Sequence, residues 1–144
     1  MSKDKRIFDL EERLVDFAVR IIRTAESLPK TRAGNHIAGQ LIRCGTSPAP
    51  NYGEAQSAES RSDFIHKMKV CLKELRETRI WLLMIVKANL IKPTSKLEPL
   101  IHENNELISI FVTSVKTARQ KEDKRTFDVT LYFLKNNPGG VKYK

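Results

Sequence analysis

Disulfide, metal and membrane chemistry all lack their raw material in this sequence. Cys44 and Cys71 each stand apart from any CxxC spacing among apolar neighbours. They read as small core residues of a reducing compartment, and a cytoplasmic location is the expectation. The longest purely apolar run, residues 80–86, falls far short of the roughly 20 residues a membrane span needs. Near the N-terminus, Lys3, Lys5 and Arg6 are followed by Asp9, Glu11, Glu12 and Asp16, which interrupts any secretory signal. Gly139 and Gly140 after Pro138 form a lone turn signal with no following helix, so no phosphate loop for ATP or a dinucleotide is expected. His36, His66 and His102 lie on separate segments, and no Ser/His/Asp or Cys/His arrangement emerges. The expectation is a non-enzymatic protein with no catalytic residues, no cofactor and no metal.

What is present describes a globular domain. The chain has 144 residues, 40% of them hydrophobic and 30% charged, enough to bury a core without disulfides. Its formal net charge is +9, from 26 Lys and Arg against 17 Asp and Glu. Such a balance suits an anionic partner, although it also keeps a protein soluble.

Four helical segments follow from periodicity. Leu10, Leu14, Phe17, Ala18, Ile21, Ile22, Ala25 and Leu28 recur at steps of three and four, the mark of one apolar face on a helix over residues 9–28. Asp9 with Glu12 resembles a capping box at its start. Ile37, Leu41 and Cys44 begin a second helix that breaks where Gly45, Pro48 and Pro50 intervene, because proline removes a donor and crowds the preceding turn. Two pieces result, residues 35–44 and 49–58. Ser60 and Ser62 offer caps for a third helix to about residue 89, with Phe64, Met68, Cys71, Leu75, Leu82 and Ile85 along one stripe. A fourth helix carries Leu97, Leu100, Ile101, Leu107, Ile108, Phe111, Val112 and Val115 inward and ends near residue 120. The expected fold is an all-α, up-down four-helix bundle over residues 1–120 with a kinked second helix. In residues 121–144, Phe127, Val129, Leu131 and Phe133 alternate with polar residues at a strand period. That segment reads as a tail, extended across a partner subunit or partly disordered.

The third helix has two informative faces. His66, Lys69, Lys73 and Arg76 fall on one stripe almost opposite the core stripe, a basic ridge suited to nucleic-acid phosphates or simply to solvent. Residues 80–86 are apolar all around, so one core cannot cover every side. Ile80, Trp81, Leu83 and Met84 are the expected oligomer interface, with Trp81 as anchor. The competing expectation has the chain's own tail folding over this patch.

Arg43, Ser47, Asn51 and Glu54 around the second-helix bend, followed by Ser62, Phe64, Glu74 and Glu77, resemble the four-helix-bundle protein family of bacterial 23S rRNA intervening sequences, also called S23-type. The resemblance covers about residues 8–120. Here Asn51-Tyr52-Gly53-Glu54-Ala55 stands where the family more often has Asn-Ile-Ala-Glu-Gly, and Pro48 occurs with Pro50. The resemblance implies an all-α bundle that assembles into a ring, typically a homopentamer. A related branch, the accessory proteins of diversity-generating retroelements, implies binding of nucleic acid and of a protein partner.

Arg43, Asn51, Glu54 and Glu74 are expected to form a structural polar network that fixes the bend, since buried polar groups need partners. A di-metal site would need repeated Glu-x-x-His pairs, whereas only Asp63-Phe64-Ile65-His66 comes near. His102 through Glu106 lacks the second histidine of a zinc-protease motif and reads as an exposed turn. The leading functional expectation is RNA or DNA backbone binding through Lys69, Lys73 and Arg76, with Arg20, Arg23 and tail lysines as weaker contributors. The alternative is a scaffold that recruits a protein partner without touching nucleic acid.

Overall fold

The computed structural model describes the backbone of residues 3–136 and the side chains of residues 10–121. Its elements are α1 (Lys3–Glu26), α2 (Arg32–Thr46), α3 (Pro48–Gln56), α4 (Arg61–Lys87), a 3-10 turn (Thr94–Leu97) and α5 (Glu98–Asn136). No strand occurs among the described residues. α2 and α3 act as one bent helix, so the architecture is a four-helix bundle. α1 packs on α2, α3 and α5, and α4 packs on the same three helices, while α1 and α4 do not touch. They therefore occupy opposite corners.

The inward residues match the helical period. Leu14, Phe17, Ile21, Leu41, Met68, Leu75, Leu82, Ile85, Leu107 and Phe111 are essentially inaccessible to solvent. Tyr52 and Phe111 meet edge to face with ring centroids 6.0 Å apart, which joins α3 to α5 across the middle. α1 and α2 approach closely at Gly45, where a Cβ would lie 2.6 Å from Ile21 Cγ2. At the bend Ser47 keeps right-handed helical torsions, and Pro48 sits at the first position of α3, where its missing N–H costs least.

Helix ends obey local chemistry. Thr31 caps α2 by accepting from the Gly34 N–H at 3.0 Å, and Ser60, not Ser62, caps α4 by accepting from the Asp63 N–H at 3.0 Å. At the C-terminus of α4, Asn89 adopts φ 54°. Asn89 N–H donates to Val86 C=O and Leu90 N–H to Ile85 C=O, so the left-handed residue satisfies carbonyls that a helix end leaves open.

The structure differs from the sequence reading at both ends of the bundle and in part of its core. α1 begins at Lys3, which places Asp9 inside the helix and not at its cap. Ile22 and Val112, assigned to the core by spacing, are 42% and 39% exposed. The alternating segment from residue 121 continues α5 as helix to Asn136; it is not extended there, and residues 137–144 lie outside the described residues. A strand needs a neighbour to hydrogen-bond, whereas a helix already nucleated adds one bond for each residue fixed. Residues 121–125 are all Lys, Glu, Asp and Arg, types that mostly tolerate the helix well.

Two polar groups lie in the core. Thr78 Oγ1 donates to Glu74 C=O at 2.8 Å, and Asn104 Nδ2 donates to Leu75 C=O at 3.2 Å. The Asn104 bond crosses from α5 to α4, and so favours one register of the pair.

Candidate functional site

Lys69, Lys73 and Arg76 recur at steps of four and three, so they share one exposed face of α4 over about 10 Å of helix. α5 lies alongside and presents Lys116 and Arg119 to the same space. The result is a groove with a cavity of about 510 Å³, with Leu72, Val112 and Val115 among its lining. Among the described residues, no carboxylate and no aromatic ring lines it. His66, on the predicted ridge, is exposed but lies outside this lining. A contiguous cavity of about 470 Å³ carries the surface onward past Arg76 to Arg79, Ile80, Asn105, Ile108 and Ser109.

Arg13 bonds Glu103 at 2.5 Å and Glu106 at 3.0 Å, and Lys67 reaches Glu54 at 2.7 Å, whereas other cations, Arg20, Arg23 and Arg79 among them, form no ion pair among the described residues. The Glu103 bond raises the Arg13 pKa. Among the described residues, none of Lys69, Lys73, Arg76, Lys116 and Arg119 forms an ion pair. Five cations around a concave strip, without an ion pair among the described residues, raise the local concentration of anions. Single-helix periodicity missed Lys116 and Arg119. Their spacing next to inward Val115 was visible, but which helix faces them is a matter of topology.

Arg20 and Arg23 do not join this groove. They belong to α1, at the opposite corner from α4.

The four polar residues around the bend do not form one network. Arg43 bonds Glu74 at 3.2 Å and also pairs with Glu77 and Gln40, joining α2 to α4 at the surface. Asn51 turns back on its own helix, with Nδ2 2.9 Å from both Ser47 C=O and Ser47 Oγ. Glu54 pairs instead with Lys67. An Arg with a half-exposed side chain sits in water and not in the bundle interior, so the expectation of a buried meeting point does not hold.

The apolar band of α4 divides by face. Leu82 and Ile85 are core, Trp81 and Leu83 are half-buried, and Ile80 and Met84 are 48% and 44% exposed. Trp81 is engaged within the subunit: His36 packs edge-on at 5.8 Å, and the indole N–H donates to Glu77 at 3.4 Å. A second exposed apolar row lies on α1, at Val15, Val19 and Ile22.

Other reactive groups have structural surroundings. Burial pushes the Cys44 thiol up to about 11 and the Cys71 thiol up to about 12, so neither supplies a thiolate near neutral pH. Iodoacetamide at pH 8 is expected to leave both unmodified in the folded protein and to label both in urea; labelling of the folded protein at the urea rate would contradict their burial. His102 and Glu106 pair at 3.2 Å on one exposed helical turn. Among the described residues, no three His, Cys, Asp or Glu side chains come together to hold a metal ion, and no helix is long and apolar enough to cross a membrane.

A search of curated proteins finds no match. Among solved structures, a protein of unknown function from the S23 ribosomal protein family of Bacteroides thetaiotaomicron is 30% identical with a TM-score of 0.69, covering 74% of this chain and 98% of that one. The family profile described as 23S rRNA-intervening sequence protein matches residues 8–113, which takes in all of the bundle from α1 to the middle of α5. The chain belongs to the 23S rRNA-intervening sequence protein family.

Proposed function

We propose that the protein is a non-enzymatic, cytoplasmic, self-associating bundle that binds the phosphate backbone of RNA or DNA in the groove between α4 and α5. The observation that carries this reading is the convergence of Lys69, Lys73, Arg76, Lys116 and Arg119, all without an ion pair among the described residues, on one concave strip. Among the described residues the lining has no aromatic platform for unstacked bases, which favours contact to phosphates that is indifferent to sequence.

Fluorescence anisotropy with single- and double-stranded RNA and DNA across a salt series tests it. If all five cations meet phosphates, the log–log salt slope is about −4.5 for B-DNA and about −3.5 for a single strand. Lys69→Glu, Lys73→Glu and Lys116→Glu together are expected to weaken binding by at least about 100-fold at low salt, through loss of contacts and added repulsion. Absent or salt-independent binding, or a triple variant that binds like the parent, removes the proposal.

The apolar part of the lining, with Val112 39% exposed, favours a second reading in which the groove holds a protein segment. A protein partner that stays bound after nuclease treatment, with no affinity for free nucleic acid, selects that scaffold reading. Exposed Ile80 and Met84 support self-association by burial of apolar area, and the S23-type resemblance implies a homopentameric ring.

A further inference from the structure

Two apolar rows are uncovered among the described residues, and they belong to helices at opposite corners of the bundle. On α1, Val15, Val19 and Ile22 follow steps of four and three and are 48%, 38% and 42% exposed. On α4, Ile80 and Met84 are 48% and 44% exposed, beside the cavity shared with Ile108 of α5. Charge distinguishes the rows. Glu12 and Glu26 bracket the α1 row on nearly the same helical line, with Glu11 and Asp16 nearby and Arg23 at one flank; all are exposed. Lys73 and Lys87 bracket the α4 row in the same way, with Arg76 and Arg79 between them, all exposed. Glu77, the carboxylate on that side, is already paired with Arg43.

The spacing also matches. Glu12 to Glu26 and Lys73 to Lys87 are each fourteen residues, about 21 Å along a helix. An acid–apolar–acid row and a base–apolar–base row of equal length are complementary to each other, and each is poorly matched to itself because like charges would meet.

Building on the self-association reading, we infer that α1 of one copy docks on the α4–α5 face of the next, with Val15, Val19 and Ile22 against Ile80, Met84 and Ile108. The occupant of the α4 row is thus a second copy of this chain. Because the two surfaces differ and lie on opposite corners, the contact is heterologous; it propagates into a closed ring or an open filament and does not stop at a two-fold dimer. Lys73 borders both this face and the basic groove, so Lys87 is the cleaner probe, with Glu26 as its partner if the two helices run parallel and Glu12 if they run antiparallel.

Light scattering coupled to gel filtration tests the pairing, with circular dichroism to confirm that each variant stays helical. The parent is expected to run as three or more copies of the 16.5 kDa chain. Val19→Asp, Glu26→Lys and Lys87→Glu, all at exposed positions, each lower the assembled mass, and Lys87→Glu combined with Glu26→Lys (parallel helices) or with Glu12→Lys (antiparallel helices) restores it. A parent that is monomeric at micromolar concentration overturns the self-association reading itself. An assembly that persists with Val19→Asp but dissociates with Ile80→Asp, or a strict dimer, overturns only the α1-to-α4 pairing, as does failure of both charge swaps to restore mass.

Discussion

Replacing Phe111 with alanine is expected to lower the free energy of unfolding by about 3–5 kcal/mol. Phe111 is fully buried, and its ring meets Tyr52 edge to face, so truncation removes both apolar burial and a ring pair worth about 0.5–1.5 kcal/mol beyond area. Phe111 belongs to a core cluster to which three helices contribute, with Leu107 and Val115 on its own helix, Tyr52 on α3 and Met68 on α4. Packed helices relax poorly into a hole of that size, which keeps the cost high. Against a typical total of about 5–15 kcal/mol for a domain, this is a large loss. Urea unfolding should show a lower midpoint with an unchanged slope. A shift under about 1 kcal/mol would mean that the α3–α5 contact is not part of the core.

The second large effect is one of sign. Glycine inside a helix ordinarily costs about 0.5–1 kcal/mol relative to alanine, so Gly→Ala should stabilise wherever there is room. Gly39 has nothing within 4 Å of an added Cβ, and Gly39→Ala is expected to stabilise by about that amount. Gly34 is the opposite case: its Cβ would fall 1.9 Å from the Pro29 carbonyl oxygen, a backbone atom that cannot swing aside. The loop from α1 to α2 would have to move, and with it the Thr31 cap that accepts from this very N–H. Gly34→Ala is expected to destabilise by about 1–3 kcal/mol, as overpacking does, and loss of the cap adds about 1 kcal/mol. Thermal unfolding of the two variants side by side reads the difference. If both substitutions stabilise, the close approach of Pro29 to α2 is wrong.

Much of the bundle was legible because helix periodicity is a local property. The positions of Leu14, Phe17, Ile21, Met68, Leu75, Leu82 and Phe111 all followed from steps of three and four, and Pro48 and Pro50 marked the bend between α2 and α3. A serine cap for α4 was legible for the same reason, since capping is settled within one turn, but the choice of Ser60 over Ser62 came from the structure. Ile22 was misplaced because α1 has a second apolar row, and periodicity alone does not say which row faces the core. The alternation at residues 127–133 was ambiguous in kind: strand or helix is decided by whether a neighbouring strand exists, and the helix of α5 continued instead.

The candidate site divides along the same line. The α4 half, Lys69, Lys73 and Arg76, was readable as a ridge on one helix. That Lys116 and Arg119 complete it, while Arg20 and Arg23 stand at the far corner, depends on which helices are neighbours. Arg43, Asn51, Glu54 and Glu74 look like one cluster along the chain yet bond in three separate places, because side-chain direction around two helices separates residues that sequence brings near.

By itself, then, the sequence determined the helical segments, the bend, the basic ridge, the apolar band and the family, all of which arise from interactions within a few turns of one helix. Only the tertiary structure decided that a ridge becomes a groove, that two apolar rows oppose each other across the bundle, and that the cations of α1 stand apart. Those outcomes rest on contacts between residues distant in sequence, whose partners are chosen by packing around a common core.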